Sequence, residues 1–363
     1  MEASLPLVSL LGGSTPEVAH LALFAVLFVP LATVTDGRSR WTPRRIVAVT
    51  FGVFVLVAAA TFLLFPESRG LGFSFATVPG VVGLTFGVVT QFGDPWFLVL
   101  VATAVYMLGS SRSLIESPSD GAFVLAMTFG GLAFVDLLKH LFALPRPPGA
   151  AEATPPTWFP DLLGGLFLEL TTGSGYAFPS GHALGTTIVF GALAYRLAVG
   201  TARTRWVAAA VGVGLIVLSR LVLGVHFLVD VVAGVFAGVA FLGAVALVAD
   251  DRPLRAFGVA AVVGVAAVVV TAFDPQGAVW ASGQWLGAAV GGGVVWYLVR
   301  PSAELGLRGS LLAGAVVAPL WIVTYALSPP LSVTVVATAL AAGVTIGAPS
   351  LAARVTERRS VGS

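Results

Sequence analysis

An arginine, a histidine and an aspartate occur within eleven positions of an otherwise apolar segment, at Arg220, His226 and Asp230. A charged side chain at the centre of a bilayer costs roughly 2.5 to 3.5 kcal/mol, so such groups are usually retained for a function. If His226 and Asp230 share one helix, their spacing places them on one face. The carboxylate could then accept the Nδ1 proton and leave Nε2 as a nucleophile. A pair that only joins two helices is the alternative, but it would leave Arg220 without a partner.

Two further basic residues, Lys139 and Arg146, stand at the end of another apolar stretch, and Pro147 follows the arginine. Lysine supplies a compact charge, and arginine supplies a rigid fork of donors that matches phosphate oxygens. A basic pair at a helix end can instead extend toward lipid headgroups. Lys139 is nevertheless the only lysine in the chain. Together the two residues favour an anion site.

A third cluster, Phe178-Pro179-Ser180-Gly181-His182, precedes an apolar run. The first turn of a helix offers backbone N–H groups and the positive end of the dipole, which together attract anions. Ser180 would add a hydroxyl, and His182 would stand beside the anion. The alternative is a structural one, because serine is a preferred N-cap residue whatever the function.

The composition is that of an integral membrane protein, with 57% hydrophobic residues, 10% charged residues and a mean hydropathy of +0.98 over 363 residues. The absence of cysteine excludes disulfides, thiolate metal sites and cysteine nucleophiles. The net charge of +2 is spread over many loops, so no nucleic-acid partner is expected. With about 20 apolar residues needed to cross a bilayer, eleven spans are predicted: 17–35, 45–65, 95–110, 121–141, 182–199, 207–223, 229–249, 256–272, 281–298, 309–326 and 332–349.

The basic residues predict the orientation, because short loops rich in arginine are retained in the cytoplasm. If the N-terminus is outside, fifteen of the nineteen basic residues lie at the inner side. The remaining four are Arg69, Lys139, Arg146 and Arg220, of which the last three belong to the clusters above. The clusters are therefore predicted to face outside and the C-terminus to face the cytoplasm. The preference for arginine over lysine suggests a prokaryotic cell membrane.

In order and spacing, the three clusters resemble the signature of the phosphatidic acid phosphatase type 2 superfamily. That signature is a lysine, six residues and Arg-Pro; then Pro-Ser-Gly-His; then Ser-Arg, five residues, a histidine, three residues and an aspartate. Each fixed position is present between Lys139 and Asp230. The resemblance covers about residues 90–250. It divides the chain into N-terminal helices with an outer segment (1–90), a catalytic core (91–250) and four additional helices (251–363).

The resemblance implies an all-α transmembrane bundle with a six-helix core, in which His226 attacks phosphorus and forms a phosphohistidine. Asp230 would orient His226, and His182 would protonate the leaving group. The phosphate oxygens would be held by Lys139, Arg146, Ser180, Gly181 and Arg220. No metal and no other cofactor is expected, because these cations could neutralise the phosphate.

The function expected from these residues is hydrolysis of a lipid phosphate or a polyprenyl diphosphate at the outer leaflet. A phosphotransferase, or a phosphatase for soluble esters, would use the same residues. A transporter is the alternative of another class, but it should carry polar groups at the bilayer midplane and repeated halves. An inactive lipid-binding protein is disfavoured because each catalytic position is filled. Haloperoxidase chemistry is disfavoured because the related haloperoxidases are typically soluble. The oligomeric state is not predictable.

Several polar residues near the clusters have structural interpretations. Asp136 is expected to pair with His140 or with Lys139 on one helix. Asp274, beside Pro275, is expected to form a turn. Residues 66–94 and 142–181 are predicted to be outer segments that do not cross, and the apolar stretch 162–170 is predicted to lie in the interface. Gln91 to Asp94 is predicted to be a turn that caps the next helix, and no chemistry is expected after residue 250.

Overall fold

The computed structural model describes residues 80–301, 307–326 and 330–361, and the regular structure in these ranges is helical. The spans predicted at 17–35 and 45–65, together with Arg69, lie outside the described residues. The helices are α1 (Gly80–Gln91), α2 (Pro95–Leu108), α3 (Pro118–Phe142), α4 (Gly164–Thr171), α5 (Gly181–Arg196), α6 (Ala202–Val222), α7 (Leu228–Ala249), α8 (Pro253–Ala272), α9 (Val279–Val299), α10 (Leu307–Ala326) and α11 (Leu331–Val361).

Each of the nine spans predicted from residue 95 onward corresponds to one of these helices. By length and composition, α3, α6, α7, α8 and residues Leu331–Leu351 of α11 can each cross a membrane. The pair α1 and α2 passes the same test as one bent unit. The described part of the chain therefore has the helical architecture of an integral membrane protein, and the total of eleven spans stays a prediction.

The segment before Pro95 is more regular than the sequence suggested. Its described part, from Gly80, forms α1 and meets α2 at an angle of 43°. Pro95 starts α2 and cannot donate a backbone hydrogen bond to the preceding turn, which separates the two helices. Asp94 therefore lies at a break between two apolar helices.

The starts of α5 and α7 are held together by close helix packing. A Cβ atom at Gly234 would lie 2.7 Å from the carbonyl oxygen of Ser180, and one at Gly238 would lie 2.7 Å from Cβ of Thr187. Two glycines one turn apart let neighbouring helices approach in this way. The N–H of Ser180 also donates to the carbonyl of Asp230 at 2.9 Å. These contacts bring the second and third sequence clusters to the same end of the bundle.

The opposite end of the bundle carries a different polar group. Arg196, in the last turn of α5, contacts Asp120 at 3.3 Å and Asp251 at 2.7 Å, and its guanidinium lies 4.0 Å from the centre of the Phe123 ring. The basic loops that precede α6 and α8 lie at this end as well. The two ends of the helices therefore differ, with the candidate site at one and most of the loop arginines at the other.

The C-terminal helices share a core with the preceding ones. Tyr106 in α2 donates to the carbonyl of Ile346 in α11 at 2.7 Å, and Ser310 in α10 donates to the carbonyl of Met107 at 2.7 Å. The ring centres of Phe129 in α3 and Trp321 in α10 are 5.5 Å apart. Helices α8 and α9 also pack along α3.

Candidate active site

His226 and Asp230 are in contact, but not in the way that the spacing suggested. His226 precedes α7, so the two residues do not lie on one continuous helix. Asp230 is in the first turn, where its Oδ2 accepts from the N–H of Phe227 at 3.0 Å and lies 3.3 Å from Nδ1 of His226. Both side chains are buried. The expected stacking of His226 and Asp230 along one helix is therefore wrong. The two side chains meet because Asp230 caps the start of α7.

Arg146 fixes the other side of the His226 ring. Its Nη1 lies 3.1 Å from Nε2 of His226 and 2.9 Å from the carbonyl of Val225, while Nε donates to the carbonyls of Ser174 and Gly175 at 2.9 and 3.2 Å. A guanidinium has donors and no acceptor, so Nε2 must accept, and the proton of the neutral ring belongs on Nδ1. This is the tautomer of a nucleophile directed away from Asp230. Arg146 turns toward the protein, against the alternative of a headgroup contact.

Ser180 is the N-cap residue of α5, but its side chain does not cap the helix. The residue is completely buried, and its hydroxyl oxygen has no hydrogen-bond partner among the residues that the structure describes. An unpaired buried hydroxyl is costly unless a ligand satisfies it. Ser180 therefore occupies the N-cap position without a capping bond, and its hydroxyl is available to an anion at this helix end.

Lys139 lies against the same helix end. A Cβ atom at Gly181 would be 3.2 Å from Cε and 3.7 Å from Nζ of Lys139, and 2.9 Å from Cγ1 of Val135. Glycine at this position therefore lets the ammonium approach the exposed N–H groups of the first turn. Lys139 and the start of α5 form one electropositive surface.

Arg220 is almost fully buried near the end of α6. Its Nη1 donates to Oγ1 of Thr90 at 2.9 Å, whereas Nε has no hydrogen-bond partner in the described part of the chain. A buried guanidinium with an unused donor is suited to a further oxygen ligand. Thr90, near the end of α1, is a contact that the sequence analysis did not identify.

His182 has an acidic neighbour that the sequence analysis assigned to a turn. Oδ1 of Asp94 lies 3.3 Å from Nε2 of His182, an ion-pair distance when the ring is protonated. Asp94 does begin α2 as its N-cap, without a side-chain capping bond. A Cβ atom at Gly93 would lie 3.2 Å from Cδ2 of His182, so the break between α1 and α2 touches this ring directly.

The electrostatic environment keeps His226 neutral. Burial lowers the pKa of its imidazole well below the usual range, and the nearby charges of Arg146, Arg220 and Lys139 act in the same direction. Burial also lowers the pKa of Arg146 to about 10, while Asp230 opposes that shift. At neutral pH the site therefore combines a neutral histidine with charged guanidinium groups.

The polar residues beyond the three clusters have partners other than those predicted. Oδ2 of Asp136 accepts from Ser282 and Trp285 in α9, at 3.3 and 3.1 Å. His140 contacts Asp274 at 2.8 Å. The predicted pairing of Asp136 with His140 or Lys139 is therefore wrong. Asp274 does form a turn, since its Oδ1 accepts from the N–H of Gln276 at 2.9 Å.

The arrangement joins residues far apart in the sequence around one small volume. Arg146, His226 and Asp230 are in direct contact, Ser180 is bonded to the backbone of Asp230, and Lys139 lies on Gly181.

A family model described as the PAP2 superfamily matches residues 121–253. The matched segment contains all the site residues predicted from the sequence and ends at the first residue of α8, whereas Thr90 and Asp94 lie ahead of it.

One solved structure is similar to this chain. The crystal structure is described as that of the first transmembrane PAP2 type phosphatidylglycerolphosphate phosphatase from Bacillus subtilis. It is 21% identical in sequence, and the alignment covers 61% of this chain and 92% of that chain with a TM-score of 0.35. No curated protein matches this sequence.

Proposed function

We propose that this PAP2 superfamily protein is a membrane-embedded phosphatase that hydrolyses a lipid phosphate or a lipid diphosphate through a phosphohistidine at His226. The observation that carries the proposal is the Nε2 atom of His226, which accepts from Arg146 while Nδ1 faces Asp230. When the phosphate takes the Nη1 donor of Arg146, the lone pair of the neutral imidazole is released and can attack phosphorus.

In the first step, Nε2 of His226 attacks phosphorus and the bond from phosphorus to the lipid oxygen breaks. The nitrogen becomes positively charged as the new bond forms, and Asp230 stabilises that charge. The departing alkoxide takes a proton from His182, whose Nε2 lies 3.3 Å from the carboxylate of Asp94.

In the second step, water attacks the phosphorus of the phosphohistidine and the bond to Nε2 breaks. His182, now neutral, accepts a proton from that water and returns to its protonated form. Inorganic phosphate leaves and His226 is restored. Each histidine therefore completes the cycle in its starting state.

The charge of the transferred phosphoryl group is opposed by Lys139, Arg146 and Arg220. The unpaired hydroxyl of Ser180 and the unpaired Nε of Arg220 supply further donors. Phosphoryl transfer depends mostly on alignment and on neutralisation of charge, and fixed donors in a buried site provide both. We therefore expect the reaction to proceed without a divalent metal.

A cavity in the apolar part of the bundle supports a lipid substrate. It has a volume of about 770 Å³ between α2, α9 and α10, and its lining includes Pro95, Val99, Ala104 and Gly314. Pro95 directly follows Asp94, which contacts His182. A substrate whose phosphate lies at His182 and His226 could therefore extend a hydrocarbon chain along α2.

The distribution of basic residues supports an extracytoplasmic site. Arg196 and the arginines of the loops before α6 and α8 lie at the end of the bundle opposite to the site. Loops rich in arginine are retained in the cytoplasm, so the other end would face outside. The phosphate would then be removed at the outer leaflet.

The test is release of inorganic phosphate by the purified protein in detergent micelles containing single lipid phosphates, with a chelator present. We expect activity on at least one lipid phosphate, inhibition by vanadate, which mimics five-coordinate phosphorus, and loss of activity in His226→Ala. Activity that depends on added divalent metal would contradict the metal-free mechanism. Full activity of His226→Ala would contradict the nucleophile, and transfer of phosphate only to an added alcohol would indicate a phosphotransferase.

A further inference from the structure

Asp274, in the turn between α8 and α9, has both carboxylate oxygens occupied by residues from other parts of the chain. Oδ2 lies 2.8 Å from Nδ1 of His140, and Oδ1 accepts from the hydroxyl of Tyr176 at 2.9 Å. The rings of His140 and Tyr176 also meet edge to face, with their centres 5.4 Å apart. A turn former needs only its bond to the N–H of Gln276, so these two contacts require another explanation.

Both partners of Asp274 are close in sequence to groups that would hold phosphate. His140 follows Lys139 in the last turn of α3. Tyr176 lies in the loop that leads into Ser180 and Gly181, and the next residue, Ala177, donates its N–H to the carbonyl of Leu144 at 2.8 Å. Asp274 therefore connects the helix end that carries the lysine to the loop that carries the serine.

A second set of bonds holds α3 against the same C-terminal helices one turn earlier. Asp136 accepts from Ser282 and Trp285, and Ser282 also bonds to Thr271 in α8 at 2.9 Å. Asp136 is three residues before Lys139, so the last turn of α3 is fixed from two directions. The hydrogen bond from His140 lowers the pKa of Asp274, and the bond from the N–H of Gln276 adds a smaller effect in the same direction. The carboxylate therefore stays ionised at neutral pH.

We propose that Asp274 is a positioning residue that couples α8 and α9 to phosphate binding by holding Lys139 and the loop before Ser180 at a fixed separation. The inference rests on the proposed function, and it assigns a role to helices outside the segment that matches the PAP2 superfamily. Asp274 acts through His140 and Tyr176. Small displacements of binding groups can change a rate about 100-fold, so a remote carboxylate can have a large effect.

The chain offers a matched control at the other end of the bundle. Asp251 also accepts from a tyrosine hydroxyl, that of Tyr195 at 2.9 Å, and from a basic group, Arg196 at 2.7 Å. The pairs Tyr176→Phe with Tyr195→Phe, and Asp274→Asn with Asp251→Asn, therefore remove the same types of bond near the site and far from it, with Asp251 the more exposed of the two carboxylates. The full-length protein in detergent is used for each variant.

The measurements are the vanadate inhibition constant, kcat and the thermal midpoint. We expect vanadate inhibition to weaken about 10-fold in Asp274→Asn and about 3-fold in Tyr176→Phe, with a change below about 2-fold in both controls. The double variant should be no worse than Asp274→Asn alone, because both changes act through one carboxylate. If the two aspartate variants lose the same thermal stability, the weaker vanadate inhibition of Asp274→Asn cannot be attributed to destabilisation.

Two results would overturn the coupling. One is that Asp274→Asn and Tyr176→Phe remain active and are inhibited by vanadate as strongly as their control variants. The other is additive effects in the double variant. A wild-type protein that releases no phosphate from any lipid phosphate would instead refute the proposed function, and calorimetric titration with vanadate would then measure the same differences between variants.

Discussion

Replacement of Asp230 by asparagine tests whether its charge supports the proposed nucleophile, His226. The change keeps the shape of the side chain and leaves an oxygen to accept from the N–H of Phe227. It removes a negative charge 3.3 Å from Nδ1 of His226. At an effective dielectric constant of about 20, a full unit charge on the ring would interact with that carboxylate by about 5 kcal/mol. If the ring carries about half a charge in the transition state, the loss is about 2.5 kcal/mol, on the order of 10²-fold in kcat.

The assay compares steady-state phosphate release by wild type, Asp230→Asn and Asp120→Asn. Asp120 is a suitable control because it accepts from the N–H of Ser117 at 2.9 Å in the first turn of α3, at the far end of the bundle. We expect Asp120→Asn to keep kcat within about 3-fold of wild type, and Asp230→Asn to lose about 10²-fold in kcat while the protein stays folded. A kcat for Asp230→Asn within that same range would refute the electrostatic role of the carboxylate.

Three further predictions follow from the geometry. Gly181→Ala should weaken vanadate inhibition about 10-fold, because the new Cβ would lie 3.2 Å from Cε of Lys139; unchanged inhibition would contradict the close approach of the lysine. Nuclear magnetic resonance of ¹⁵N-labelled histidines, assigned with His226→Ala, should find His226 still neutral as the pH falls through the usual midpoint of about 6.5, because burial and nearby cations lower its pKa; a midpoint at the usual value would contradict this. Gly314→Trp, which fills the cavity beside α2, should raise KM for long-chain lipid phosphates and not for short-chain ones; equal effects on both would remove the cavity from substrate binding.

Apart from the short α4, the helices after residue 94 could be predicted from the sequence because each is a long apolar run between polar or proline-rich loops. α1 could not, because Gly80–Gln91 is only 12 residues long and is rich in glycine and valine. The hydropathy pattern detects segments long enough to cross a bilayer, but it does not detect shorter helices that pack against their neighbours. The break at Asp94 depends on that packing.

The three clusters could be predicted because the chemistry needs fixed residue types at fixed spacing. Their local geometry could not, since His226 and Asp230 meet through a capping turn and not along a helix. The contacts of Asp94 and Asp274 could not be predicted for another reason. Each carboxylate stands beside a proline in a turn-like sequence, and its partners, His182 for one and His140 for the other, are distant along the chain. A single sequence contains no signal that joins them.

The central claim is that His226 carries the phosphoryl group during turnover. The most direct measurement is a rapid alkaline quench during turnover of a lipid phosphate, followed by mass spectrometry of the digested protein. The account predicts an acid-labile phosphate on the peptide that contains His226, and its absence in His226→Ala. Turnover in which no phosphorylated peptide forms, or in which phosphate is found on His182 or Ser180, would contradict it.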